Sequence, residues 1–255
     1  MKKLFFILLA VLVCTGVMAK PKKKASLIEE LPEMEIQKVT SAYKAPKREF
    51  RGVWMHTIYN SVYPTLTSDE WQEYIRKQLD EYQKLGINVV IFQVRPEADA
   101  FYESEYEPWS RFLTGEQGKR PEPFFDPLHF ITEECHKRCM ELHAWINPYR
   151  VKSENTPKKL SDDNPYVNDE ASGFEHNDCI YLDPSNEQAQ KLVVNGVKEI
   201  VKNYDVDGIQ FDDYFYPTKE DAFDGESYAK YTADNQNPLL LDEWRRANVN
   251  ALISG

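Results

Sequence analysis

The feature that most constrains this chain is the asymmetry of its connections. From Arg48 onward, short apolar runs alternate with amphipathic stretches, four times in succession. Each helical stretch passes into the next apolar run almost at once, at Gly86, at Met140-Glu141 and at Asp205. From an apolar run to the next helix the chain takes roughly 20 to 35 residues, where roughly 2 to 6 are usual. Strand–helix alternation predicts parallel strands wrapped by helices. Long loops on one side only then gather the extra chain at the C-terminal ends of the strands, the face that carries chemistry in a βα-barrel.

The first strand is predicted over 52–57. Thr67-Ser68-Asp69-Glu70 has the form of a capping box, and Trp71, Tyr74, Ile75, Leu79, Tyr82 and Leu85 recur at helical spacing up to Gly86. The second strand, 87–94, is almost continuously apolar, as expected when both faces are covered. A second helix is predicted to open at Asp126-Pro127, a cap residue and then a proline at the first helical position. Its apolar stripe is Leu128, Ile131, Cys135 and Cys139. The third strand is 141–147. A third helix is predicted to open at another Asp-Pro, Asp183-Pro184, and to bury Ala189, Leu192, Val193, Gly196, Val197 and Ile200. The fourth strand is 206–211, and a fourth helix is expected from near Pro238. A closed barrel needs eight strands, and the chain reaches Gly255 within this fourth helix. The expected fold is α/β, the N-terminal half of a TIM (β/α)8 barrel over 48–255. An open four-stranded α/β domain is the alternative.

The first residues read as an address. Lys2 and Lys3 precede an apolar run from Leu4 to Val13, and Val17-Met18-Ala19 supplies small residues for cleavage. A cleaved signal peptide over 1–19 is expected, sending the protein to the periplasm or outside the cell. The run is shorter than the roughly 20 apolar residues a spanning helix needs. Lipid anchoring at Cys14 is the less favoured option, because Val13 before it is bulky. Residues 20–47, rich in Lys, Glu and Pro, read as a linker. Cleavage leaves Cys135, Cys139 and Cys179, an odd number, so at least one thiol stays free. Cys135, His136 and Cys139 match no familiar zinc spacing, and neither metal nor cofactor is expected. With 31 basic and 42 acidic residues the net charge is −11, which argues against nucleic acid as a partner.

Polar residues end the strands, where burial without partners is costly. By strand parity Gln93 and Arg95 share a face, as do His143, Trp145 and Asn147, and Gln210 and Asp212. Asp212 is the candidate for a reacting carboxylate and Asp213 for orienting substrate or pairing with Arg150. Asp207, at the far end of its strand, reads as structural. Glycoside hydrolysis needs two carboxyl groups flanking one bond. Aromatic rings are dense on the same loops, among them Tyr59, Tyr63, Phe101, Tyr102, Trp109, Tyr149, Tyr214, Phe215 and Tyr216. Rings that stack on sugar faces, with acids, amides and arginines for the hydroxyls, fit a saccharide. No glycine-rich phosphate loop is present.

The chain resembles the bacterial glycosyl-hydrolase-like family ten, cell-envelope proteins with a TIM-barrel hydrolase domain. The matching stretches are Arg51-Gly52-Val53-Trp54, Phe92-Gln93-Val94-Arg95-Pro96, Asp99-Ala100-Phe101-Tyr102, Pro108-Trp109-Ser110, Leu113-Thr114-Gly115, Ala144-Trp145-Ile146-Asn147-Pro148-Tyr149-Arg150, and 207–217. Glu97-Ala98 departs from the family's usual filling of its loop, so no role is carried over to Glu97. The resemblance implies a glycosidase acting on cell-wall glycan, including peptidoglycan strands stripped of stem peptides. It also implies a domain that continues past Gly255, whose second half would be supplied by a longer chain. The expected site comprises Asp212 and Asp213 as catalytic residues. Gln93, Arg95, Asp99, Trp109, Trp145, Asn147, Tyr149, Arg150, Gln210 and Tyr214 are expected to hold glycan. The competing reading is a carbohydrate-binding protein on a degenerate or truncated barrel.

Overall fold

The computed structural model describes residues 49–154, 156, 159–169 and 172–255. The expected signal peptide, Cys14 and the linker lie outside the described residues. In chain order the elements are β1 (Gly52–Met55), α1 (Ser68–Lys84), β2 (Val89–Arg95), α2 (Arg111–Thr114), α3 (Pro127–Lys137), β3 (Glu141–Ile146), β4 (Arg150–Lys152), α4 (Pro165–Asn168), β5 (Gly173–His176), β6 (Cys179–Leu182), α5 (Glu187–Asn203), β7 (Gly208–Phe211), α6 (Gly225–Asp234) and α7 (Leu241–Ser254). Among the described residues no helix is long and apolar enough to cross a membrane.

β1, β2, β3 and β7 pair in that order as one parallel sheet. With α1, α3, α5 and α7 they supply the four expected βα units, the arc of a half-barrel. One sheet face carries Val90, Phe92, Leu142, Ala144 and Ile146, which are buried with Ile75, Leu79, Leu128, Ile131, Cys135 and Ile200 of the helices. Each such side chain removed from water contributes about 1.5–3 kcal/mol, so this face holds the domain together. The opposite face carries Trp54, His143, Trp145 and Gln210 and is largely open. Trp54 is 51% exposed there, its ring edge-on to Trp145 at 4.8 Å.

Local chemistry fixes the helix starts. Thr67 and Glu70 close the capping box: Thr67 Oγ1 accepts the Glu70 N–H, and Glu70 Oε2 accepts the Thr67 N–H at 2.9 Å. Asp126 caps α3 by accepting the His129 N–H at 2.9 Å, ahead of Pro127. The second Asp-Pro behaves differently. Asp183 turns its carboxylate onto the Ser185 N–H and hydroxyl and onto the Ser227 hydroxyl, and α5 starts after Asn186, which accepts the N–H groups of Gln188 and Ala189. The expected start at Asp183-Pro184 is therefore corrected by three residues. Cys139 does not belong to the α3 stripe either. The helix ends at Lys137, and Cys139 is exposed in the left-handed turn at φ 57°, while Cys135 is buried in the core.

Two features were not expected from the sequence. The connection from β3 to α5 folds into an antiparallel sheet of order β4-β6-β5. Its β5–β6 hairpin turns on Asn177 and Asp178, both left-handed at φ 49° and 61°, as a two-residue hairpin turn requires. In β2 the pairing shifts between Gln93, opposite Trp145, and Arg95, opposite Ile146. The bulge at Val94 turns Arg95 to the other side of the sheet. Gln93 and Arg95 therefore do not share a face, contrary to strict alternation. At the far ends of the strands, Asp207 accepts from the Leu142 N–H at 2.8 Å and meets His136 Nε2 at 2.9 Å, tying α3 to the sheet.

Candidate active site

The polar residues at the strand ends form one hydrogen-bonded chain. Gln93, buried near the end of β2, accepts the Thr57 and Ile58 N–H groups at 2.8 and 3.0 Å on Oε1. Its amide nitrogen donates to Asn147 Oδ1 at 2.6 Å. Asn147, just past β3, forks its own amide: Nδ2 donates to the Asp212 carbonyl at 3.1 Å and to Asp213 Oδ2 at 3.2 Å. Arg150, at the start of β4, donates from Nη2 to the same Asp213 oxygen and from Nη1 to the Pro96 carbonyl at 3.2 Å. Three successive strand ends thus converge on Asp212-Asp213, where the chain leaves β7.

The two acids are held differently. Asp213 is left-handed at φ 52°, a conformation Asp tolerates better than most residues. Its carboxylate is tied to Arg150 and Asn147 through Oδ2. Asp212 Oδ1 accepts the Asp213 N–H at 2.9 Å, and its Oδ2 has no partner among the described residues. Asp213 lines a cavity of about 220 Å³ with Arg150, Tyr181, Phe215 and Pro217. Burial pushes the Tyr181 hydroxyl up to about 12, with help from the neighbouring Cys179 thiol, so it stays a neutral donor across the working pH range.

The remaining expected residues divide by position. Gln210 lies level with Trp145 in the sheet register, and its side chain donates to the Phe211 carbonyl at 2.9 Å. Trp145 stands against Trp54, its indole N–H hidden and without a partner among the described residues. Tyr214 is exposed, its ring 6.2 Å from Phe215. Arg95 is 3% exposed and all three of its nitrogens are engaged: Nε and Nη2 hold Glu107, and Nη1 serves the carbonyls of Asn147 and Pro148. It positions Asn147 from behind. Burial raises the Glu107 carboxyl above its ordinary range, Arg95 pulling the other way. Tyr149 is buried in a second apolar cluster with Val151, Leu182 and Val193.

Asp99 and Trp109 belong to the connection after β2 and share no hydrogen bond with this chain among the described residues. Asp99 is buried, accepts from Gln117 Nε2 at 3.1 Å, and is pushed up to about 7 by burial and by the nearby Glu97. Glu97, also buried, accepts the Ser153 N–H at 2.8 Å, the Ser153 hydroxyl and the Thr156 hydroxyl at 2.7 Å. Trp109 stands edge-on to Phe124 at 6.2 Å. The sequence reading missed Tyr181, Glu107 and Thr57. The alternating Cys179-Ile180-Tyr181-Leu182 after an Asn-Asp turn was the signal for the first. Nothing local marked the other two, whose partners are distant in sequence.

Parallel strands wrapped by helices, with long loops and polar residues gathered at the strands' C-terminal ends, are the layout of the loop-bearing face of a βα-barrel. The chain belongs to glycosyl hydrolase-like family 10, whose model matches residues 49–255. It is 43% identical over 214 residues to glycosyl hydrolase YngK of Bacillus subtilis, covering 81% of this chain and 41% of that protein. It is 36% identical over 225 residues to glycosyl hydrolase DigH of Escherichia coli K12, covering 80% of this chain and 50% of that protein. The chain therefore spans half or less of the length of these relatives. Among solved structures, the maltogenic α-amylase AmyB of Thermotoga neapolitana aligns with a TM-score of 0.44 at 14% identity, over 73% of this chain and 44% of that one. The α-galactosidase AgaA of Geobacillus stearothermophilus aligns with a TM-score of 0.41 at 14% identity, over 64% and 21%.

Proposed function

We propose that this domain supplies part of the active site of an exported glycoside hydrolase acting on bacterial cell-wall glycan, peptidoglycan strands without stem peptides in particular. The observation that carries the reading is the Asn147 fork, which holds the Asp212 backbone carbonyl and the Asp213 carboxylate side by side at the mouth of the sheet. Asp212 is the reacting carboxylate, with one oxygen uncommitted among the described residues. Asp213 and Arg150 orient the sugar beside it. Charge-assisted bonds of this type hold geometry well, and geometry is what a displacement at a sugar carbon demands. Trp54, Trp145, Tyr214 and Phe215 offer ring faces for stacking. Family membership and the two relatives named as glycosyl hydrolases support the reaction class.

The test is direct. Full-length protein is incubated with peptide-free peptidoglycan glycan, and new reducing ends are counted. The proposal expects them to accumulate. Firm glycan binding with no new ends would favour the second reading, a carbohydrate-binding protein on the same scaffold.

A further inference from the structure

A cavity of about 470 Å³ lies beside the β5–β6 hairpin. Lys152 lines it with Glu175, His176, Asn177, Asp178, Cys179 and Ile180. Lys152 is 4% exposed. Its ammonium donates to the carbonyls of Ser153 at 3.2 Å and Asp178 at 2.5 Å, both neutral acceptors. Among the described residues it makes no ion pair. An ammonium has three donors, so among the described residues one is without a partner. A buried cation without a counter-charge is costly, and the cost is relieved when an anion enters. Two acids also line the cavity, Glu175 and Asp178, but both are exposed on its rim. Solvent screens them far more than it screens Lys152, and they can accept hydrogen bonds from sugar hydroxyls.

The cavity adjoins the aspartate site. Cys179, which lines it, stands two residues before Tyr181 on β6, and Tyr181 lines the smaller cavity with Arg150 and Asp213. Residues two apart on a strand are about 6.5–7 Å apart, on the order of one sugar ring. We propose that the larger cavity is a subsite for a carboxylate-bearing sugar of the glycan, with Lys152 as the carboxylate's anchor. This inference rests on the hydrolase reading and deepens it. In peptidoglycan, every second sugar bears a lactyl carboxyl. A stem peptide ties it up as an amide, and removal of the peptide leaves it free and charged. Lys152 therefore gives a physical reason for preferring stripped strands: it reads the free carboxylate.

The test compares two ligands on the full-length protein: peptide-free glycan, and the same glycan with its carboxyl groups reduced to alcohols. The unmutated protein should bind the acidic form at least about tenfold tighter, the scale of a hydrogen bond to a charged group. Lys152→Gln should erase that difference, chiefly by weakening the acidic form, and Lys152→Arg should keep much of it. The comparison on unmutated protein stands even if Lys152→Gln loosens the hairpin. Equal affinity of the unmutated protein for both forms overturns the subsite and leaves the hydrolase reading intact. Binding of neither form overturns both.

Discussion

Asp99 shows what burial does to a single carboxyl. Its proton is held to about pH 7 in the fold, against 3.8 for the free group, because burial and Glu97 both oppose its charge. A folded value raised above the unfolded one contributes stability at low pH. That contribution falls as pH rises from about 4 to about 7, and this group causes no further loss above that range. Urea unfolding of the unmutated domain should therefore show a midpoint that drops between pH 4.5 and about 7.5. Asp99→Asn keeps the Gln117 contact and removes the titration, so the drop should shrink. An unchanged drop would place the proton elsewhere. Arg95 and Glu107 make the complementary case. Removing one partner strands a buried charge, so Arg95→Met should cost about 3–5 kcal/mol in urea unfolding. The double variant Arg95→Met, Glu107→Leu should cost less than the single one, since no charge is left stranded. An equal or larger loss would show that the pair is valued for more than its mutual charge. Neither residue's role was legible beforehand, because the Val94 bulge and the distant Glu107 decide it.

At the scale of elements, legibility followed the range of the interactions. The helix starts at Thr67 and Asp126 could be read because each cap closes on residues within three positions. Thr67→Ala should cost about 1 kcal/mol of stability, read as a lower urea midpoint with unchanged slope; a change under a few tenths would mean that Glu70 alone satisfies that end. The start at Asp183-Pro184 was misread because Ser227, some forty residues on, competes for the same carboxylate. The small β4-β6-β5 sheet was hidden for a different reason. Its strands are three or four residues long, too short for alternation to stand out inside a long connection. It matters to the site, because β4 carries Arg150 to Asp213 and β6 brings Tyr181 beside them.

For the molecule as a whole, the four-unit parallel sheet and the clustering of polar residues at its mouth were legible from one-sided loop lengths. The pairing of Asp213 with Arg150 was legible too, from the phase of Asp212 with Gln210, whereas the withdrawal of Arg95 onto Glu107 was not. Export also belongs to this scale. The mature protein is expected to begin at Lys20 outside the cytoplasm, and N-terminal sequencing that finds Met1 on cytoplasmic protein would refute it. The central claim is that Asp212 reacts while Asp213 orients, and glycan cleavage by Asp212→Asn in the full-length protein tests it most directly. The substitution keeps size and the acceptor for the Asp213 N–H but removes the charge. Cleavage should fall by about two to three orders of magnitude, the scale for loss of an acid, base or nucleophile, with glycan binding retained. Undiminished cleavage by Asp212→Asn would contradict the account and move the chemistry to another carboxylate, Asp213 first.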